Sequence, residues 1–178
     1  PVLHHLHRHR LIHRDIKPTN FRQPPGQTAW WLVDFGAIKP VTATPMASPG
    51  TLIGSADYAA PEQLRGEATY ASDLYSLGVV CLRLLTGLQP FDLFDSVNGC
   101  WHWRSIVPDV DASLATLIDQ LVQPTLRDRP PDAATVMATW GQAVAADPAP
   151  SSRRMVNSER ERPSWLAESP GAWGSKNL

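Results

Sequence analysis

The stretch that most constrains this chain covers residues 13–20, which read His-Arg-Asp-Ile-Lys-Pro-Thr-Asn. Six of these residue types at fixed spacing would arise by chance at a given position in about one case in 10⁸, if each type has its average frequency. Pro18 has no backbone N–H and disfavours a helical conformation at Lys17, so residues 16–21 are predicted to form a loop. The rest of the chain is therefore interpreted around a loop that carries charged and amide side chains.

Four shorter motifs follow this loop at set separations. Asp34-Phe35-Gly36 begins fourteen residues beyond Asn20, directly after an aromatic and β-branched stretch at 29–33 that predicts a short strand. The other three motifs are Ala-Pro-Glu at 60–62, Asp-Leu-Tyr-Ser-Leu-Gly at 73–78 and Arg-Pro at 129–130. Each motif alone recurs often in proteins, but their order and their placement on the predicted elements make the set specific.

The set resembles the eukaryotic-type Ser/Thr protein kinases over residues 6–140, and finer similarities favour their bacterial, cyanobacterial-like branch. These finer similarities lie at 38–39, 62–63, 71–78, 90–95 and 101–104. The resemblance implies an α+β protein-kinase fold that is mainly α, in which this chain supplies the large C-terminal lobe with a small β-hairpin. It also implies transfer of the ATP γ-phosphate to Ser or Thr hydroxyls of protein substrates, with ATP and Mg²⁺ as cofactors.

The resemblance assigns reactive roles to five side chains. Asp15 matches the catalytic base, and Lys17 matches the residue that faces the transferred phosphate and marks Ser/Thr rather than Tyr specificity. Asn20 and Asp34 match the Mg²⁺ ligands, in keeping with the preference of this hard cation for oxygen. Ser55 matches the substrate-loop hydroxyl that bonds the Asp15–Lys17 pair. The competing interpretation is that these polar residues only form turns in a helical protein.

Other matching residues are predicted to shape the site rather than to react. His13 and Phe35 resemble two members of the family's hydrophobic regulatory spine, and Gly36 completes the Asp-Phe-Gly triplet. Asp73 resembles the residue that binds backbone N–H groups of the catalytic loop. These four residues are therefore expected to fix the position of the loop.

Two arginines are predicted to hold anionic groups. Arg129 resembles the partner of Glu62 in a buried ion pair that ties the loop end to a late helix. Arg14 directly precedes the catalytic Asp, which suggests control by a phosphorylated loop, because an arginine can hold a phosphate through two parallel hydrogen bonds. Thr51 is the predicted phosphosite in the Ser/Thr-rich segment 40–54, and a solvated loop without this role is the alternative.

Local patterns predict the remaining organisation. The turn signal at 23–27 followed by the strand predicts a hairpin, and residues 3–12 read as the end of a helix. Hydrophobic periodicity predicts helices over 61–64, 72–85, 111–121 and 132–144, the last two capped by Asp111 and Asp132. The predicted domains are a partial kinase domain at 1–146 and a disordered Pro/Ser/Arg-rich tail at 147–178.

Composition excludes several other functions. The 16 basic and 17 acidic residues give a net charge of −1, which argues against nucleic-acid binding. The apolar stretch 74–88 contains Arg83 and is too short for a membrane span. The two cysteines, Cys81 and Cys100, form no disulfide scaffold, so a cytoplasmic protein with reduced thiols is expected.

The sequence departs from the kinase pattern in one large respect. No segment resembles the small lobe, with its G-x-G-x-x-G loop and ATP-binding Lys. The N-lobe is therefore expected to be missing or separately encoded, and the chain alone is expected to have negligible phosphotransfer. The alternative is a non-catalytic kinase-like binding module or pseudokinase remnant that docks regulators or substrates. His5 and His9, at i, i+4 spacing, also leave open a structural metal, although a solvated helix face is the simpler interpretation.

Overall fold

The computed structural model of this chain describes residues 1–41 and 56–146, which contain helices and short strands. The helices are α1 (Val2–Arg8), α2 (Pro61–Leu64), α3 (Tyr70–Thr86), α4 (Pro90–Leu93), α5 (Ala112–Leu121) and α6 (Ala133–Ala146). The strands are β1 (Leu11–Ile12), β2 (Phe21–Arg22), β3 (Trp31–Leu32), β4 (Lys39–Pro40), β5 (Phe94–Asp95) and β6 (Cys100–Trp101). Thr51, Ser55 and the predicted tail at 147–178 lie outside the described residues.

The strands form antiparallel pairs. The predicted hairpin is confirmed: β2 pairs with β3, with Phe21 opposite Leu32. In the second sheet β1 pairs with β4, which places Ile12 opposite Lys39, and in the third β5 pairs with β6. The loop at 13–20 therefore lies between two paired strands, since β1 ends directly before it and β2 begins directly after it.

Helix α3 is the central element of the core. Backbone N–H of Thr69 donates to Ser72 Oγ at 2.9 Å where the helix begins, and Gly87 ends it in the left-handed region at φ 72°. Its apolar face packs against α5 in a cluster of fully or nearly fully buried side chains, which includes Val79, Leu82, Leu93, Trp103, Ala115 and Ile118. Burial of this face, rather than local propensity, stabilises a helix of this kind.

Helices α3 and α5 approach closely at Gly78. A Cβ atom on Gly78 would lie 2.7 Å from Val122 Cγ1 and 2.8 Å from Leu121 Cβ. These distances are far below van der Waals contact, so only glycine fits without movement of the α5 end. The glycine in the Asp-Leu-Tyr-Ser-Leu-Gly motif thus has a packing role.

The predicted helices agree closely with the structure. The helices predicted at 61–64, 72–85, 111–121 and 132–144 are confirmed as α2, α3, α5 and α6. Asp111 Oδ1 accepts backbone N–H bonds from Ser113 and Leu114, as an N-cap carboxylate does. Asp132 Oδ1 likewise accepts from the Thr135 N–H at 2.8 Å.

Two local predictions were wrong. The helix predicted through residue 12 ends at Arg8, because Arg10 adopts a positive φ of 59° and the chain then enters β1. The loop predicted for residues 16–21 contains a 3₁₀ turn at Pro18–Asn20 and ends one residue early, because Phe21 belongs to β2 and pairs with Leu32. In both places pairing with another strand takes residues out of the predicted element.

None of the helices in residues 1–41 and 56–146 has the length and the apolar character needed to span a bilayer.

Candidate active site

A buried carboxylate on α3 holds the loop at 13–20 in place. Asp73 is 0% exposed, and its two oxygens accept the backbone N–H groups of His13 at 2.8 Å and Arg14 at 2.9 Å. A buried carboxylate is costly unless it is hydrogen-bonded, so these donors are part of what makes the arrangement stable. Arg14 has a positive φ of 70°, a conformation that an L-residue keeps only where its surroundings enforce it.

The buried side chain of His7 on α1 forms a further hydrogen bond with Asp73. The His7 Nδ1 atom accepts the Ala133 backbone N–H at 3.2 Å, so the proton of a neutral ring lies on Nε2. Nε2 then donates to Asp73 Oδ2, also at 3.2 Å. This buried histidine joins α1, α3 and the start of α6, a role that the sequence analysis did not assign to it.

Asp15, Lys17 and Asn20 form a hydrogen-bonded cluster within the loop. Lys17 Nζ lies 2.8 Å from Asp15 Oδ2, and Asn20 Nδ2 donates to the same oxygen at 3.1 Å and to the Asp15 carbonyl at 2.7 Å. Asn20 is 5% exposed, whereas the side chains of Lys17 and Asp15 keep 24% and 17% exposure. The cluster therefore has a buried amide on one side and two charged groups that reach solvent on the other.

The Asp-Phe-Gly triplet follows β3 beside this cluster. The Val33 N–H donates to the Asn20 carbonyl at 2.8 Å, which continues the β2–β3 pairing and places Asp34 one residue beyond it. Asp34 is exposed and has a positive φ of 66°, and the Gly36 N–H donates to its Oδ1 at 3.4 Å. The β2–β3 pairing thus brings Asp34, one of the two predicted metal ligands, beside the loop that carries Asn20, the other.

The rings of His13 and Phe35 are in contact. Their centroids lie 5.5 Å apart at an interplanar angle of 60°, although Phe35 remains 49% exposed. Burial lowers the pKa of His13 below its ordinary value of 6.5, and the carboxylates of Asp73, Asp15 and Asp34 oppose this without cancelling it. His13 is therefore a neutral, packed ring at physiological pH, and three acidic groups of the site surround it.

Glu62 and Arg129 form a buried two-pronged ion pair. Arg129 Nη2 donates to Glu62 Oε2 at 2.6 Å, and Arg129 Nη1 donates to Glu62 Oε1 at 2.9 Å. The Arg129 side chain is 0% exposed and the Glu62 side chain is 1% exposed. Ser72 Oγ also donates to Oε1 at 2.6 Å, and Arg129 reaches the Ala71 carbonyl. Burial alone raises the pKa of Glu62, but the hydrogen bonds from Arg129 and Ser72 together outweigh it and leave this pKa below 4.5.

Two predicted site residues, Ser55 and Thr51, lie outside the described residues. The Arg14 Nε atom is buried and has no hydrogen-bond partner within residues 1–41 and 56–146, while its carbonyl accepts from Gln63 Nε2 at 2.7 Å.

The alternative metal pair, His5 and His9, has no third ligand among residues 1–41 and 56–146. His9 Nδ1 lies 2.8 Å from the His5 carbonyl oxygen, and the two exposed rings contact each other. Within the described part of the chain, neither histidine belongs to a group of three potential metal ligands.

Comparison with known proteins agrees with the motifs and their geometry. The family model for the protein kinase domain matches residues 1–140. The chain belongs to the protein kinase family. The resemblance found in the sequence is thereby confirmed, and the fold is a segment of a protein kinase domain that contains helices and small sheets.

Several bacterial Ser/Thr protein kinases are similar to this kinase-family chain. It is 45% identical over 141 residues to Serine/threonine-protein kinase F of Synechocystis sp., which covers 77% of this chain and 28% of the relative. It is 42% identical to Serine/threonine-protein kinase C of the same organism, over 78% of this chain and 27% of the relative. Serine/threonine-protein kinase PknA of Nostoc sp. is 38% identical, over 72% of this chain and 24% of the relative. The chain thus spans about a quarter of the length of these relatives.

Sequence reasoning missed the residues that support the kinase loop from a distance. His7 and Gln63 contact Asp73 and the Arg14 carbonyl, 66 and 49 residues away along the chain. Leu6-His7 fits the passage that leads into the kinase loop, whereas His4, His5 and His9 are surplus to that match. The match does not show that His7 contacts Asp73, because this contact forms only when α1 packs beside α3.

Proposed function

We propose that this chain is the large C-terminal lobe of a Ser/Thr protein kinase, which transfers the γ-phosphate of ATP to hydroxyls of protein substrates. The observation that carries the proposal is the cluster in which Asp15 Oδ2 lies 2.8 Å from Lys17 Nζ and 3.1 Å from Asn20 Nδ2. In-line phosphoryl transfer requires a base beside the attacking hydroxyl and positive charge at the phosphates, and this partly exposed cluster offers a carboxylate beside an ammonium group.

Asp15 is the proposed base. In the reaction the substrate hydroxyl oxygen forms a bond to the γ-phosphorus, the bond from this phosphorus to the β–γ bridging oxygen breaks, and ADP leaves. The Asp15 carboxylate orients the hydroxyl and accepts its proton. Lys17 lies next to the same carboxylate and supplies positive charge where the three terminal phosphate oxygens gain negative charge.

The donor set beside Asp15 fits Mg²⁺. The amide nitrogen of Asn20 is directed to Asp15, so Oδ1 is the atom of this side chain that would bind a cation. The exposed carboxylate of Asp34 offers a second hard oxygen ligand. When bound, Mg²⁺ would neutralise charge on the β- and γ-phosphates.

Asp73, His7 and the Glu62–Arg129 pair serve as positioning groups in this proposal. They touch neither the nucleotide nor the substrate, but they fix the backbone that carries Asp15. Arg14, with its buried Nε, is proposed to hold a phosphate on Thr51, and this step can be checked by mass spectrometry after incubation with ATP and an intact kinase.

A small lobe is required in addition to this chain. The sequence contains no G-x-G-x-x-G loop, and without it half of the nucleotide cleft would be open to water. The isolated 178-residue chain is therefore expected to transfer phosphate at a negligible rate. A fusion in which a protein-kinase small lobe precedes Pro1 is expected to restore Mg·ATP binding and transfer.

Calorimetric titration of Mg·ATP into the chain and into the fusion tests this proposal. The fusion should bind Mg·ATP and phosphorylate Ser/Thr peptides but not Tyr peptides, and Asp34→Asn should weaken binding at least tenfold, since a metal ligand is lost. Asp109→Asn, at an exposed position outside the site, is the matched control and should bind as the parent does.

Three results would contradict the proposal. Transfer by the isolated chain would show that no small lobe is needed. Failure of a folded fusion to bind Mg·ATP, or equal binding by the Asp34→Asn and Asp109→Asn variants, would instead favour a non-catalytic module that docks regulators or substrates.

A further inference from the structure

A second group of potential metal ligands lies on the β5–β6 hairpin, away from the candidate active site. Within residues 1–41 and 56–146 the side chains of Asp95, Cys100 and His102 form the one cluster of three His, Cys, Asp or Glu ligands whose ligand atoms all lie within 4.8 Å of one another. We propose that these three side chains bind a zinc ion through the Asp95 carboxylate, Cys100 Sγ and His102 Nε2.

The hairpin explains why these residues meet. Asp95 and Cys100 are directly opposite each other in the antiparallel register of β5 and β6. His102 follows Cys100 by two residues, which places both side chains on the same face of an extended chain. The sequence separations are therefore sufficient to bring an oxygen, a sulfur and a nitrogen ligand together without long-range folding.

Two of the three ligand separations match a tetrahedral zinc ion, and the third lies within 4.8 Å. Cys100 Sγ lies 3.6 Å from His102 Nε2, and His102 Nε2 lies 3.5 Å from Asp95 Oδ2. Zinc bonds of about 2.3 Å to sulfur and about 2.0 Å to nitrogen or oxygen, at tetrahedral angles, give ligand separations of about 3.6 Å and about 3.3 Å. Both observed distances are thus close to those of a bound site.

The loop of the hairpin holds the carboxylate in position. Asp95 Oδ1 accepts the backbone N–H groups of Val97 at 2.9 Å and Asn98 at 3.1 Å, while Asn98 Nδ2 donates to Oδ2 at 2.6 Å. These bonds orient the Asp95 carboxylate toward β6 before any ion binds. Hydrogen bonds of this kind, from groups that do not themselves bind the metal, fix the orientation of a metal-ligating carboxylate.

The ligand types favour zinc over the Mg²⁺ of the candidate active site. A thiolate and an imidazole suit a borderline cation, whereas Mg²⁺ and Ca²⁺ require oxygen ligands. Burial raises the pKa of the other thiol, Cys81, to about 11, so Cys81 stays protonated and is a suitable control. Cys100 and His102 also line a surface cleft of about 440 Å³, in which a water molecule would serve as the fourth ligand.

Titration of the reduced, chelator-treated full chain with Co²⁺ and then Zn²⁺ tests the site. Co²⁺ should give a thiolate-to-cobalt charge-transfer band and the intense visible bands of tetrahedral coordination, and one equivalent of Zn²⁺ should abolish both. Zn²⁺ should also raise the melting temperature, since an ion that binds the folded state stabilises it.

Single variants separate this site from adventitious binding. Cys100→Ser, His102→Gln and Asp95→Asn should each weaken zinc binding at least about tenfold, and Asp95→Asn keeps a residue that can still form the loop turn. Cys81→Ala and the double variant His5→Gln/His9→Gln should bind zinc as the parent does. Absence of the charge-transfer band, its persistence in Cys100→Ser, or an equal loss in the His5/His9 variant would overturn the proposal.

Discussion

The buried ion pair Glu62–Arg129 and the proposed catalytic pair Asp15–Lys17 each join an acidic and a basic side chain, but in opposite surroundings. The Glu62 and Arg129 side chains are 1% and 0% exposed, whereas those of Asp15 and Lys17 are 17% and 24% exposed. In the buried pair the carboxylate and the guanidinium tip are engaged by groups of the protein, so the pair can only hold the fold together. In the loop pair, Asn20 donates a hydrogen bond to the Asp15 carboxylate and holds it in place. The Asp15 and Lys17 side chains keep solvent-accessible surface, which a reacting ligand needs.

Removal of Arg129 should have the largest effect on stability. Arg129→Ala would leave the Glu62 carboxylate buried without its partner, and this should lower the free energy of unfolding by about 3–5 kcal/mol. Arg104→Ala is the matched control, because Arg104 contacts Asp119 through two nitrogens but is 52% exposed. Its loss should cost about 1 kcal/mol or less. Equal urea midpoints for the two variants would show that burial does not distinguish the pairs.

Acid should weaken the same buried pair. The pKa of Glu62 is lowered from 4.5 in the folded chain, so its contribution to stability is present above pH 4.5 and is lost as the pH falls through the folded value. Glu62→Gln should be less stable than the parent at pH 7, and the difference should shrink as the pH falls below about 4.5. Urea unfolding at several pH values measures this, and a constant difference would argue against an ionised Glu62.

Asp73→Asn tests the link between the buried network and the loop. An amide offers one acceptor oxygen in place of two, so either the His13 or the Arg14 N–H would lose its acceptor, at a cost of about 1–3 kcal/mol. Hydrogen exchange should be faster than in the parent at one or both of these amides. Unchanged exchange at both amides would mean that Asp73 does not hold the loop.

Local patterns predicted much of the fold, because the residues that decide it are close in sequence. Asp111 caps α5 through backbone groups two and three residues away, and the turn at 23–27 brings β2 to β3. The order of the motifs pointed to the kinase family, which the family model confirms.

Contacts between distant residues escaped prediction. The β1–β4 pairing depends on a positive φ at Arg10, a residue type that gives no signal for it. His7 acquires its role only when α1 packs beside Asp73, 66 residues further along the chain. The hairpin of β5 and β6 was missed as well, since two-residue strands are too short to show an alternating pattern.

The most direct test of this account is one substitution measured in two ways. Asp15→Asn in the small-lobe fusion should lower the rate of phosphate transfer at least about 10²-fold, the usual contribution of a positioned base. Its free energy of unfolding should change by less than about 1 kcal/mol, as for other partly exposed pairs. A variant that keeps the parent rate, or that loses activity only because it unfolds, would contradict the assignment of Asp15 as the reacting carboxylate.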